Sequence, residues 1–322
     1  MSRIYEALQK AELERKTERP DRRTVTSGAG PATSSEQAAV AVHEMPIASS
    51  GDHFSSPMVT EIHEPAVPVE YGLDLSRVPR HVWMPNYDRL PALQERGSGV
   101  EQFRSLRSRL HELRDISPLK SILITSGLPQ EGKSFIATNL AISLARHKSS
   151  KVLLIDGDMR RYTLHQLLGC EAHPGLADYL SGKASILEVM QRAEETPGAE
   201  KTKSSVLPNL TFIAGGHGGD KAADLSGNPR FRELIETVSP YFDWIVVDSS
   251  PVLPVSDAVN LSRALDGVLL VARMGVTKYP VAQRAQSELK SAKVLGFVLN
   301  GAVKYSNPGT YYGYDSYDAR AE

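Results

Sequence analysis

An α/β fold built on a doubly wound, mostly parallel sheet is predicted for residues 76–304, and three features of the sequence predict it. After Val100 the chain falls into short apolar runs, SILIT, KVLLID, DWIVVD, GVLLVAR and VLGFVLN, with the composition of strands covered on both faces. Longer stretches with helical spacing separate them, FIATNLAISLARH being the clearest, and these supply the crossovers that parallel strands require. Glycines or acids stand at the ends of several runs, where doubly wound sheets bind their ligands.

The flanking segments read differently. Residues 1–16, MSRIYEALQKAELERK, have Ser2 as an N-cap and Ile4, Ala7, Leu8 and Ala11 on one face, which predicts a short amphipathic helix whose first reading is docking on a partner, the alternatives being packing on its own domain or fraying in solvent. Residues 17–75 are rich in Ser, Thr, Ala, Pro, Gly and Glu without sustained periodicity, as expected of a disordered, flexible linker. Residues 305–322, YSNPGTYYGYDSYDARAE, form a second disordered extension, a C-terminal tail. This tail holds Tyr305, Tyr311, Tyr312, Tyr314 and Tyr317, five of the twelve tyrosines, in a setting with nothing to bury them.

Composition narrows the function. With 37 Lys and Arg against 38 Asp and Glu, no global basic excess suggests a nucleic-acid partner. Cys170 is the single cysteine, so no internal disulfide forms. The N-terminus has no signal-like apolar core and no run approaches a membrane span, which predicts a cytoplasmic protein unless a partner tethers it.

The strongest motif is Gly127-Leu-Pro-Gln-Glu-Gly132-Lys133-Ser134, which fits G-x-x-x-x-G-K-[ST] and lies between the run SILIT and a helical stretch. Glycines let backbone N–H groups approach phosphate oxygens, and the helix N-terminus adds positive potential. Lys133 can neutralise β/γ-phosphate charge and the Ser134 hydroxyl can ligate Mg²⁺. The motif makes the fold a P-loop NTPase, which resembles the partition ATPases, with ATP and Mg²⁺ as cofactors and Gly127, Glu131, Gly132, Lys133, Ser134 and Phe135 as the nucleotide-binding set.

Acids follow at two strand ends. KVLLIDGDMRR ends in Asp156 and Asp158, which can face the same side of an extended terminus. One would act on the metal or its waters and the other on the incoming nucleophile, because phosphoryl transfer depends chiefly on positioning and charge neutralisation. WIVVDSSP adds Asp248 in the Walker B pattern. The catalytic candidates are thus Lys133, Asp156 and Asp158, and the metal candidates Ser134, Asp156 and Asp248. Asp257, in PVSDAV, reads as a helix cap. Cys170 and His173 form an isolated pair without a second half-site, and G-x-S-x-G, H-R-D and D-F-G motifs do not occur.

SGLPQEGKS, LLIDGDMRR, VVDSSP and the tyrosine-rich end, in that order, resemble the bacterial tyrosine kinases (BY-kinases) of exopolysaccharide and capsule biosynthesis, over about residues 98–322. Glu101-Gln-Phe-Arg104-Ser-Leu-Arg107 matches the E-x-x-R-x-x-R helix by which that family assembles rings. Read alone, these three residues share a helical face that suits either a charged subunit interface or solvent. The resemblance implies an ATP-dependent protein-tyrosine autokinase that modifies its terminal tyrosines in trans within a homo-oligomeric ring. It also implies a cognate tyrosine phosphatase and a separate membrane-bound polysaccharide export activator, which would recruit the chain to the inner face of the membrane. The start MSRIYEALQKAE is similar to members encoded apart from that activator. The alternative is a positioning ATPase of the partition or septum-site type. Those proteins usually carry a second lysine after the first loop glycine, where this chain has Leu128, and they lack a tyrosine tail.

Overall fold

A computed structural model of the chain describes residues 72–146, 150–194, 207 and 209–302. The expected docking helix, all but the last four linker residues and the tyrosine-rich segment lie outside the described residues. The compact unit takes up the chain at Leu73, three residues ahead of the expected start at 76. Its backbone N–H donates to the Tyr241 hydroxyl at 2.6 Å, fixing this entry to the body of the domain.

Eight strands form one sheet: β1 (Arg80–His81), β2 (Ser121–Ser126), β3 (Val152–Asp156), β4 (Met190–Ala193), β5 (Leu210–Ile213), β6 (Trp244–Asp248), β7 (Gly267–Arg273) and β8 (Val294–Asn300). Their order is β1-β4-β5-β3-β6-β2-β7-β8, and every pairing is parallel except β4 with β5. The apolar runs are continuous because each strand feeds two cores. Ile122, Ile124, Val152, Leu154, Trp244 and Val246 point to one face. Leu123, Leu153, Ile155, Ile245 and Val247 alternate to the other, as a period of two requires.

Helices cover both faces. On the first lie α1 (Ser98–Ile116) and α2 (Lys133–Ala145). α1 buries Val100, Phe103 and Leu110 along one stripe, whereas α2 is buried from Ile136 to Ala145 on all sides. The one amide in that buried run is satisfied: Asn139 accepts from the Ala92 N–H at 3.0 Å and donates to the Phe135 carbonyl at 2.9 Å. The short helices α3 (Leu164–Leu168), α4 (Leu176–Leu180) and α5 (Ile186–Val189) follow β3. They are succeeded by α6 (Ala222–Ser226), α7 (Arg230–Val238), α8 (Asp257–Ser262) and α9 (Tyr279–Glu288). α7 buries Phe231, Leu234, Ile235 and Val238 against the second core, at the spacing of an amphipathic helix. The fold is doubly wound and mostly parallel, as the sequence predicts. The carboxyl ends of β2, β3 and β6, the central strands, meet at one edge of the sheet.

Candidate active site

The loop from Gly127 to Gly132 leaves β2 and turns into α2, which starts at Lys133. Gly132 sits at φ +98° with its α-carbon against the Asn300 amide, on which any Cβ would collide. Glycine is required there for both the left-handed backbone and the space. Gln130 also takes a positive φ, 64°, and its carbonyl accepts from the Arg273 guanidinium at 3.2 Å.

Glu131 is almost wholly buried, and its carboxylate accepts from the Leu128 N–H at 2.8 Å and from the Thr277 hydroxyl. Its carbonyl accepts from the Asn300 amide at 2.9 Å. The Glu131 side chain, expected at the nucleotide, therefore braces the loop from behind. Phe135, also expected there, turns its ring to Phe103 at 5.8 Å and belongs to the α1–α2 interface. Gly132, Lys133 and Ser134 lie at the N-terminus of α2, whereas Gly127, at the start of the loop, packs against Val281 and Ala285.

Lys133 Nζ donates to Asp158 Oδ2 at 3.0 Å and lies 3.3 Å from the Ser134 hydroxyl. Burial alone would lower its pKa, but Asp248, Asp158 and Asp156 outweigh that and raise it, so the ammonium stays charged. Asp158 also accepts from the Arg161 N–H at 3.1 Å, which fixes its carboxylate toward the lysine. Asp156 accepts from the backbone N–H groups of Asp158, at 3.2 Å, and Leu164, at 3.1 Å. Asp156, the last residue of β3, thus accepts from the loop that follows it, and Asp158, two residues on, faces the lysine.

Asp156 and Asp248 are register partners on β3 and β6, both almost fully buried. Burial, then the neighbouring Asp248, pushes Asp156 well above the usual carboxylate range. Burial pushes Asp248 up to about 6 although Lys133 and a hydrogen bond from Ser134 pull it down. Asp248 Oδ1 is buried without a partner. One lysine facing three acids, with one carboxylate oxygen unsatisfied beside a serine hydroxyl, is a donor set that fits a hard, oxygen-seeking cation such as Mg²⁺. Ser134 and Asp248 would hold it, with Asp156 behind them.

Asp257 is corrected by the structure. Ser256 occupies the cap position of α8, and the Asp257 carboxylate is buried and receives Arg160 through Nε at 2.7 Å and Nη2 at 3.3 Å. This fork ties the loop after β3 to the helix after β6. Sequence reasoning also missed Arg273, Thr277 and Asn300, although two of them end the apolar runs GVLLVAR and VLGFVLN, where strand-end logic would have found them.

No family model matches the chain. The tyrosine-protein kinase YwqD of Bacillus subtilis is 33% identical over 217 residues, which cover 66% of this chain and 86% of that protein. The chain belongs to the bacterial tyrosine kinase family. Another member, the tyrosine-protein kinase Etk of Escherichia coli K12, is 32% identical over 219 residues, and this chain spans only 28% of its length. The solved kinase domain of E. coli ETK superposes with a TM-score of 0.60 at 29% identity, over 70% of this chain and 85% of that one.

In this bacterial tyrosine kinase chain the E-x-x-R-x-x-R residues lie on α1. Glu101 and Arg104 pair with each other and are exposed. Arg107 is half-buried and donates to the Ser143 carbonyl at 2.7 Å, tying α1 to the last turn of α2. The helix that carries the motif is therefore anchored on the helix that begins at Lys133. Among the described residues no helix is long and apolar enough to cross a membrane.

Proposed function

We propose that the chain is an ATP-dependent protein-tyrosine autokinase that phosphorylates its C-terminal tyrosines in trans and thereby regulates exopolysaccharide synthesis or export. The observation that carries the reading is the Lys133–Asp158 pair at 3.0 Å, set at the mouth of a phosphate cradle in a chain of this family. Lys133 and the loop N–H groups hold and neutralise the nucleotide phosphates, and Asp158 orients the acceptor hydroxyl. Bound Mg²⁺ would supply further neutralisation of phosphate charge as the transferred group moves. Asp158 accepts from the Lys133 ammonium, and its part in this reading is to align the tyrosine hydroxyl. Tyr305, Tyr311, Tyr312, Tyr314 and Tyr317 are the acceptors; the twelve residues from Ser306 to Tyr317 can span up to roughly 40 Å, enough for a neighbouring copy.

The reading extends to assembly and partners. Glu101, Arg104 and Arg107 would contribute to a ring of identical subunits. A separate membrane-bound export protein would activate the cytoplasmic chain at the inner face of the membrane, and a tyrosine phosphatase would reset it.

The test incubates purified protein with Mg-ATP, with and without the cytosolic segment of a candidate activator, and maps phosphotyrosine by mass spectrometry. Phosphate on the terminal tyrosines of the wild type and none in Lys133→Met is the expected result. ATP hydrolysis without phosphotyrosine, even with activator, would transfer the chain to the positioning ATPases.

A further inference from the structure

Past Asp158 the chain turns through a group of rings that the phosphate cradle does not use. The Tyr162 ring is met by three imidazoles: His165 at 5.5 Å, His173 at 6.0 Å and His217 at 6.2 Å between centroids. The last two stand edge-on to it, at 72° and 78°, the arrangement aromatic rings prefer. The imidazoles come from three segments, helix α3, the loop before α4 and the loop after β5. Gly215 sets the group against Asp156, since a Cβ there would meet Tyr162 Cβ at 2.5 Å and Asp156 Cγ at 3.4 Å. The Gly218 N–H donates to the Met159 carbonyl at 3.1 Å and closes the two loops on each other. His173 and His217 are nonetheless exposed, Tyr162 is only half-buried, and His165 Nδ1 is buried without a partner. Core packing pairs its polar atoms and hides its rings. In this group two imidazoles are exposed and His165 Nδ1 has no partner, while His173 Nδ1 lies 3.7 Å from Asp178 Oδ2.

We propose that Tyr162, His165, His173 and His217 form a shelf on which the ring of an acceptor tyrosine lies while its hydroxyl reaches Asp158 and Lys133. The proposal rests on the kinase reading above and names a recognition surface for its acceptor. The occupant is the segment 305–322, supplied by a second copy in that reading. That segment contains no Leu, Ile, Val, Met, Phe or Trp, so tyrosine rings are its only large apolar groups, and a surface made of ring edges is suited to select them. Each ring pair of this kind is worth about twofold to twelvefold in affinity. A shelf beside the acids would thus position the phenol without contributing to nucleotide binding.

The experiment uses the full chain with ¹³C-labelled histidine rings and a synthetic peptide of residues 305–322. Its counterpart is the same peptide with all five tyrosines replaced by leucine. The Cε1–H resonances of His173 and His217, identified by their disappearance in single alanine variants, should move upfield with the tyrosine peptide and stay in place with the leucine one. The His173→Ala/His217→Ala double variant, altered only at exposed positions, should raise the KM for the peptide about fivefold or more and leave the KM for ATP unaltered. Phosphate on the peptide with unmoved imidazoles and an unchanged peptide KM would overturn the shelf and leave the kinase reading standing. Imidazole shifts without any phosphate on the peptide would keep the shelf and overturn the kinase.

Discussion

Asp248 and Asp156 stand opposite each other on adjacent strands, each about 1% exposed, and share a single nearby lysine. Burial raises both above their ordinary value, Asp248 from 3.8 to about 6. Between those two pH values the folded chain holds a proton that the unfolded chain has released, so folding is favoured at the acidic end. The stabilising difference is therefore present below the unfolded pKa and is lost as pH rises through the folded one. Asp248→Asn keeps the shape and removes the charge. In the absence of nucleotide its melting temperature should match that of the wild type near about pH 4 and exceed it by several degrees at about pH 7. A difference that stays flat across that range in thermal scans would mean that Asp248 is not held protonated by its burial. If Asp248 holds Mg²⁺ as proposed, the same variant should also lose Mg²⁺-dependent nucleotide affinity.

At the scale of elements, the phosphate cradle depends on strand ends that carry none of the motif. β8 delivers Asn300 to the Glu131 carbonyl, β7 ends in Arg273, which reaches the Gln130 carbonyl, and the turn after it delivers Thr277 to the Glu131 carboxylate. Gly132→Ala should therefore weaken ATP binding by at least about tenfold, since a left-handed alanine costs about 1–2 kcal/mol and its methyl group displaces Asn300. Titration calorimetry checks this, and unaltered affinity would show that the brace yields. Far-ultraviolet dichroism should stay native, because β2 and α2 are held by the core beneath the loop. The sequence made β2, β3, β6, β7 and β8 legible because strands buried on both faces carry unbroken apolar runs. β1, with two residues, and β4, which reads MQRA, carry too short and too polar a signal, and β4 further departs from the parallel rule. The acids were legible as strand-end residues. The Arg160–Asp257 fork was not, because its partners lie 97 positions apart and nothing local marks either one. Asp257→Ala should lower phosphate transfer by freeing the loop that aims Asp158, and Asp257→Glu should restore part of it. Equal transfer by all three proteins would leave the fork a matter of stability alone.

For the whole molecule, the proposed autokinase raises the question of what phosphate on the terminal tyrosines would do to the proposed assembly. The chain carries a formal charge of −1, so nearly neutral subunits meet with little mutual repulsion. Each phosphotyrosine adds about −1.5 to −2, and modification of five would add roughly −8 to −10 per chain. In a ring every subunit brings that charge toward its neighbours and toward acids such as Asp156, Asp158 and Asp248. The exposed Glu101–Arg104 pair on α1 contributes little to oppose it, as surface ion pairs are worth about 1 kcal/mol or less. Unmodified chains should then assemble and modified ones separate, giving a cycle driven by ATP in one direction and a phosphatase in the other. Light scattering of the wild type should show a fall in mass after incubation with Mg-ATP, while Lys133→Met keeps its mass under the same conditions. The loss should be reduced at high salt, which screens repulsion between exposed charges beyond about 3 Å at 1 M. Equal masses for phosphorylated and unphosphorylated chains at low salt would remove charge repulsion as a means of dissociating the proposed ring.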